Sequence, residues 1–258
     1  MNNNQAIGIF DSGIGGTSIW KEIHQLLPQE KTIYLADSKN APYGQKSKEE
    51  IIALSIKNTE LLLEMNCKLI VVACNTATTN AIKELRDRYD VPFIGIEPAI
   101  KPAATNSKTQ TIGILATQGT LSSELFYTTA QKFQSTKIVE QVGHGLVQLI
   151  ENGKINSPEM DQLLHSYLTP MIEANIDYLV LGCSHYPYLI PQIRKILPNN
   201  IKIIDSGEAV ARQTLHLLKD QVGLTSEKEN SPVFYTNTTG VVLKSIIGDQ
   251  YEVIEKDF

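Results

Sequence analysis

The chain has no hydrophobic run long enough to cross a bilayer; none approaches the roughly 18 apolar residues that a membrane helix needs. It has no excess of positive charge either. Lys and Arg number 23 against 28 Asp and Glu, a net charge of −5 with a pI near 5.6. No general attraction to nucleic acid or anionic lipid is therefore expected, and neither partner is assigned. The opening Met1-Asn2-Asn3-Asn4-Gln5 has no basic segment with an apolar run behind it. A secretory signal is not expected there, and the chain is read as cytoplasmic. Cysteine is scarce, with three residues. An odd count without an export signal argues for reduced thiols rather than a disulfide framework. No spacing of His, Cys and carboxylates suits a metal ion. Low-complexity segments and short-period repeats are also missing. What remains is an ordinary globular composition, 42% hydrophobic and 20% charged, over 258 residues. That is enough chain for one large or two modest domains.

Apolar runs alternate with amphipathic ones. The pattern predicts strands at 7–10, 32–36, 69–73, 92–96, 111–115, 137–140, 178–181, 202–204 and 232–235. It predicts helices at 17–27, 48–64, 76–89, 146–151, 158–175 and 205–218, with another opening at 117. Ser47 reads as the cap of the second helix. Such alternation argues for parallel sheets covered by helices.

Two cysteines occupy matching surroundings. Cys74 ends the run Leu69-Ile70-Val71-Val72-Ala73 and precedes Asn75-Thr76-Ala77-Thr78. Cys183 ends Tyr178-Leu179-Val180-Leu181-Gly182 and precedes Ser184-His185-Tyr186-Pro187. Each apolar run reads as a buried parallel strand, and ligands of open α/β sheets bind beyond the carboxyl ends of strands. A helix N-terminus there favours thiolate. Two thiols on opposite sides of one carbon could pass a proton across it, one as base and one as acid. That is racemisation or epimerisation without a cofactor. A buried structural role is the competing explanation for any cysteine, though it fits two with matched polar flanks less well. Cys67 lacks those flanks and is read as packing.

The turn Asp11-Ser12-Gly13-Ile14-Gly15-Gly16 after the first strand could gather backbone N–H groups around an anion at a helix N-terminus. Asp11 could take up a proton or orient a thiol; an ordinary Asx-turn and cap is the alternative. His185 could act as base to Cys183 or stabilise its thiolate, or be a packed histidine. None of the strand-end turns at 7–12, 74–76, 117–120 and 183–185 carries Lys or Arg. An anionic ligand would then rest on backbone amides with Ser12, Asn75, Thr76, Thr117, Thr120 and Ser184. That suits a small carboxylate better than a nucleoside triphosphate.

Taken together, these segments resemble the glutamate racemases of the aspartate/glutamate racemase superfamily, over nearly the whole chain. Gly8 to Gly16 is similar to the family's opening motif, and Asp37 with Ala41-Pro42-Tyr43-Gly44 to its second loop. Val72 to Thr78 and Leu181 to Pro187 are similar to its two catalytic segments. Gly95-Ile96-Glu97-Pro98 and Asp205-Ser206-Gly207 are similar to its interdomain crossings.

The resemblance implies an α/β fold of two similar doubly wound domains with parallel-type sheets and the active site in the cleft between them. Residues 1–97 plus 208–258 would form one domain and 98–207 the other. It implies Cys74 and Cys183 as acid/base thiols, Cys74 acting on D-glutamate and Cys183 on L-glutamate. Asp11 would assist Cys74; His185 and Glu151 would assist Cys183. Ser12, Tyr43, Gly44, Asn75, Thr76, Thr117, Thr120 and Ser184 would hold the substrate, with Asp11 and His185 beside it. It implies no cofactor and no metal, a bacterial source, and D-glutamate destined for peptidoglycan; a homodimer stays open. Three positions depart from the family. Gly143-His144-Gly145-Leu146-Val147-Gln148-Leu149-Ile150-Glu151 keeps only Val147, Leu149 and Glu151 of the usual segment. Thr17 replaces a leucine, and Ser184 a threonine.

Three rivals bear weighing. A nucleotide-binding Rossmann domain fits the strand–glycine turn–helix outline and Asp37 at the end of the next strand, but Ser18 stands where its third glycine belongs, and Asp11 would repel a pyrophosphate. A solute-binding module would bind ligand without exchanging a solvent proton. A racemase of aspartate or of a hydantoin lies within the same class.

Overall fold

The computed structural model describes residues 4–226 and 231–258. The strands are β1 (Ile7–Asp11), β2 (Thr32–Ala36), β3 (Leu69–Val72), β4 (Phe93–Gly95), β5 (Thr111–Ala116), β6 (Lys137–Val142), β7 (Tyr178–Gly182), β8 (Lys202–Ile204), β9 (Val233–Thr236) and β10 (Glu252–Glu255). They form two sheets, ordered β10-β9-β2-β1-β3-β4 and β6-β5-β7-β8. Every recorded strand pairing is parallel. Strands β1, β2 and β3 are buried at every residue, as expected of strands covered on both faces.

The two sheets repeat one topology. In β2-β1-β3-β4 and in β6-β5-β7-β8 the first strand of the unit lies between the second and the third. The order in which strands are laid down therefore reverses across β1 and again across β5. Strands β9 and β10 extend the first sheet beyond β2.

Three helices position the site from the first half: α1 (Thr17–Leu26), α2 (Lys48–Glu64) and α3 (Asn75–Arg88). α2 starts with a capping box. Ser47 Oγ accepts the Glu50 N–H at 3.2 Å, and Glu50 Oε2 accepts the Ser47 N–H at 2.9 Å.

One apolar core joins the halves. It runs from Ile9 and Val71 past Ile19, Trp20 and Ile23 of α1 to Leu149, Leu181 and Leu189. The alternate residues Phe10, Leu35 and Val72 face a second cluster on the other side of the first sheet. Ile112, Ile114 and Val180 do the same for the second sheet. This is the period-two alternation of a strand, with both faces apolar. The two crossings between halves are tied together, since Ser206 Oγ donates to the Glu97 carbonyl at 2.5 Å.

Several elements lie outside the sequence expectations. Helices at Ile100–Asn106 and Ile190–Ile196 carry Pro102 and Pro191 in their first turns. Proline reads as a breaker there, yet it is tolerated where the N–H has no intrahelical partner. A helix at Glu124–Ala130 follows the short one opened at Thr117. The helix Val241–Ile247 and the edge strand β10 complete the tail. β10 has only two apolar residues between glutamates, too short a pattern to register.

Trp20 pins α1 to the C-terminal extension of the first sheet. It is almost fully buried, its indole N–H donates to Thr32 Oγ1 at 3.0 Å, and Phe234 of β9 meets it edge-on with centroids 4.7 Å apart. Trp20→Ala should destabilise the protein by about 3–5 kcal/mol, and Trp20→Phe by clearly less, as urea unfolding would measure. Equal losses would show that the ring volume is not what holds α1.

Candidate active site

The site is assembled where strand order reverses. Cys74 follows β3 and Cys183 follows β7, the equivalent strands of the two units, and each neighbours the unit's first strand. Crevices at such switch points are where open α/β sheets bind ligands.

The N–H groups of the glycine turn after β1 are taken up within the protein, so of the two readings of this turn the Asx-turn and cap holds, and not an external anion site. Asp11 Oδ2 accepts the N–H groups of Gly13 at 3.1 Å and Gly16 at 3.0 Å. Glu151 Oε1 accepts the Ile14 N–H at 2.7 Å. The protein's own carboxylates thus occupy the positive end of α1. The glycines serve close approach instead. A Cβ on Gly13 would lie 2.0 Å from Glu151 Oε1, and one on Gly15 would lie 2.1 Å from His185 Nδ1.

Cys74 caps α3. Its Sγ accepts the Ala77 N–H at 3.4 Å and lies 3.7 Å from Ser12 Oγ. Burial pushes the thiol pKa well above its ordinary value, and the Asp11 charge adds to the rise; the Ala77 N–H and Ser12 hydroxyl oppose it without cancelling it. Burial and the Asp11 charge thus favour the thiol form of Cys74.

Cys183 has a different environment. His185 Nδ1 is 3.8 Å from its sulfur, and His185 Nε2 is 2.6 Å from Glu151 Oε1. Burial pulls the imidazole down. The hydrogen bonds to Cys183 and Glu151 and the Asp11 charge outweigh that, so its pKa stands well above the usual value. An imidazolium beside the sulfur stabilises negative charge there. Ser38 Oγ donates to the other Glu151 oxygen at 2.8 Å.

Asp11 is fully buried and interacts with both cysteine motifs. Its hydrogen bonds run to the turn amides and to Ser184 Oγ at 3.0 Å, and His185 Nδ1 is 4.0 Å away. Its action on Cys74 is through charge, while its contacts join it to the Cys183 motif. Burial raises its pKa, and the His185 charge, the Gly16 N–H and Ser184 pull it back.

Between the cysteines lies a small, narrow cavity. Of the residues expected to hold substrate, Ser12, Tyr43, Gly44, Asn75, Thr76, Thr117, Ser184 and His185 line it, with both cysteines. Asp11, Glu151 and Thr120 stand behind this lining; Thr120 Oγ1 supports Thr117 Oγ1 at 3.0 Å and Thr76 Oγ1 at 3.3 Å. The lining contains no Lys or Arg. Asn75 Oδ1 is buried with no protein partner, in the wall of this cavity. Sequence reasoning did not single out Pro42 and Val147, which also line it. Val147 was visible only as a retained apolar position in an otherwise divergent segment. Cys67 packs beneath β1, where a Cβ on Gly8 would come within 3.0 Å of its sulfur, and burial pushes its thiol up to about 12. Among the described residues, no group of His, Cys, Asp and Glu could hold a metal ion, and no helix is long and apolar enough to cross a membrane.

Because the Asp11 charge helps to hold Cys74 protonated, Asp11→Asn should speed alkylation of Cys74 by iodoacetamide several-fold at pH 8, followed by peptide mass spectrometry. An unchanged rate would mean that this charge does not reach the sulfur.

Comparison with known proteins agrees with this geometry. The family model described as Asp/Glu/Hydantoin racemase matches residues 7–214. A glutamate racemase from Ectopseudomonas mendocina is 41% identical over 260 residues, covering 98% of this chain and 99% of the relative. A glutamate racemase isoform from Bacillus anthracis superposes with a TM-score of 0.89 at 29% identity, over 100% of this chain and 99% of the other. The Escherichia coli glutamate racemase, solved with L-glutamate and the activator UDP-MurNAc-Ala, superposes with a TM-score of 0.86 at 31% identity, over 98% of each chain. With its paired cysteines at the switch points of two like α/β units, the chain belongs to the glutamate racemase family of the aspartate/glutamate racemase superfamily.

Proposed function

We propose that this racemase interconverts L-glutamate and D-glutamate by proton transfer at Cα between Cys183 and Cys74. One observation carries the reading: two chemically different cysteines, at equivalent positions of a repeated topology, line one small cavity. A carbon acid held between them meets a base on one face and an acid on the other.

From L-glutamate, Cys183 is the base and Cys74 the acid. Cys183, beside the imidazolium of His185, removes the Cα proton. Cys74, held as a thiol, delivers its proton to the opposite face and is left as thiolate, stabilised by the Ala77 N–H at the head of α3. The reverse reaction exchanges the roles, with Cys74 acting on D-glutamate. Asp11 serves both faces, while His185 and Glu151 serve Cys183.

Substrate binding follows from the unpaired groups. The first N–H groups of α3 have no intrahelical partners. Those of Asn75 and Thr76 can meet a carboxylate, with the hydroxyls of Thr76, Thr117, Ser12 and Ser184 around it. The unpartnered Asn75 oxygen can accept from the ammonium group. The two halves, 1–97 with 208–258 and 98–207, act as the two jaws of this cleft. No metal or cofactor is assigned a step. D-Glutamate made in this way would supply peptidoglycan in the bacterial cytoplasm.

Cys74→Ser and Cys183→Ser should each lower kcat by at least about 100-fold, the usual contribution of a positioned acid or base. Cys67→Ala should leave turnover near that of the wild type. Initial rates from each enantiomer, with Cα-deuterium uptake from deuterated water, test this; near-full turnover in either serine variant would overturn the two-thiol assignment. Aspartate and hydantoin substrates in the same assay separate this reading from its relatives.

His185 has a raised pKa in the folded protein, so its charged form contributes stability. That contribution is complete below the ordinary histidine value of about 6.5 and fades as the pH climbs through the raised one. The stability lead of wild type over His185→Gln, read by urea unfolding, should therefore be largest near pH 6 and shrink towards pH 10. A lead that grows with pH would show that the neutral imidazole is the stabilising form.

A further inference from the structure

Asp37 follows β2 and is fully buried. Its carboxylate receives four side-chain donors: the Tyr43 hydroxyl, Asn40 Nδ2 at 2.7 Å, Asn237 Nδ2 at 2.5 Å and Asn58 Nδ2 at 3.5 Å. These donors come from three separate parts of the chain. Asn40 and Tyr43 belong to the loop after β2, Asn58 to α2, and Asn237 to the segment leaving β9. A buried carboxylate met by neutral donors depends on all of them, because each one lost leaves charge unsatisfied.

The network reaches the substrate cavity through Tyr43. Tyr43 and Gly44 line that cavity, and Asn58 Nδ2 also donates to the Tyr43 oxygen at 3.0 Å. The loop closes against the opposite half: a Cβ on Gly44 would lie 2.7 Å from Thr117 Cβ. In the other direction the network reaches the C-terminal strands. Asn237 Oδ1 accepts the Lys39 N–H at 2.9 Å, and Asn237 Nδ2 also donates to the Phe258 carbonyl at 3.2 Å. None of these contacts touches either cysteine.

We infer that Asp37 is a positioning residue for substrate: it fixes the Tyr43 hydroxyl, so that the Tyr43 ring and Gly44 backbone form a rigid wall of the cavity, and Asn237 fixes Asp37 in turn. The C-terminal extension of the first sheet is thereby coupled to glutamate binding. The inference rests on the cavity being the glutamate site. A wall of this kind contacts ground state and transition state alike, so its loss appears in KM rather than kcat.

Three variants test it. Asp37→Asn keeps the shape but turns an amide donor toward donors. Tyr43→Phe removes the hydroxyl alone, and Asn237→Ala cuts the remote link. Each should raise the KM for both enantiomers of glutamate about tenfold and change kcat by less than about threefold. The Asp37→Asn/Tyr43→Phe double variant should be no worse than the poorer single one, since both act through one contact. Hydrogen exchange gives a readout independent of turnover. The amides of Gln45 and Lys46, which donate to the carbonyls of Pro42 and Tyr43, should exchange faster in Asp37→Asn and Asn237→Ala, while those of β1 and β3 stay protected. Loss of kcat at unchanged KM, additive effects, or exchange rising through the whole sheet would overturn the positioning role. An Asn237→Ala protein like the wild type would overturn the coupling. A wild type that does not racemise glutamate would overturn the functional reading instead, and the loop exchange alone would then decide whether Asp37 positions Tyr43.

Discussion

Asp11, Glu151 and His185 lie where the two halves of this racemase meet, two of them fully out of water and the third nearly so. Isolated charges in such a place would be prohibitive. They persist because each neutralises another and because the carboxylates take up the N–H groups at the head of α1. Everything around the cavity follows from that arrangement. The turn must be rich in glycine, because a side chain at Gly13 or Gly15 would occupy the space of Glu151 or His185. Glu151 must come from the second half of the chain and Asp11 from the first, so the charge cluster also locks the halves together. Two carboxylates and a thiol around the imidazole raise its pKa above the usual value, against the effect of burial.

The same arrangement makes two like cysteines unlike. The topology repeats, with β3 and β7 in equivalent places. A repeat alone would give two equivalent thiols, and a two-base reaction needs one to release a proton while the other receives it. The difference comes from neighbours. Cys74 has a helix amide and a serine hydroxyl, with the Asp11 charge close by; Cys183 has a histidine backed by a glutamate. Symmetry of scaffold thus places the sulfurs alike, and asymmetry of surroundings gives them different neighbours.

Apolar periodicity exposes buried parallel strands well, because both faces are covered and the runs are nearly unbroken, as in Leu69–Val72 and Tyr178–Gly182. Edge strands and proline-led helices escaped for the opposite reason. In β10 only Val253 and Ile254 are apolar, and Pro102 and Pro191 sit where a helix accepts proline but a reader sees a break. Local chemistry was legible in the same uneven way. The flanks of Cys74 and Cys183 sit next to them in the chain, so the strand–Cys–hydroxyl pattern was visible without any fold. Asp37 stood in plain view inside a motif, yet its role depends on Asn237, 200 residues away.

The sequence by itself determined the alternating α/β class, the strands that carry the two cysteines, and the chemistry those side chains can perform, because these depend on residues within a few positions of one another. Only the tertiary structure decided that the glycine turn binds the protein's own carboxylates rather than a ligand. It also showed that Asp11, whose charge acts on Cys74, hydrogen-bonds Ser184 of the Cys183 motif, and that the tail reaches the Tyr43 loop through Asn237. Those contacts join segments more than 100 residues apart, and the energy of a buried charge is set by whatever the fold packs against it, not by its neighbours along the chain.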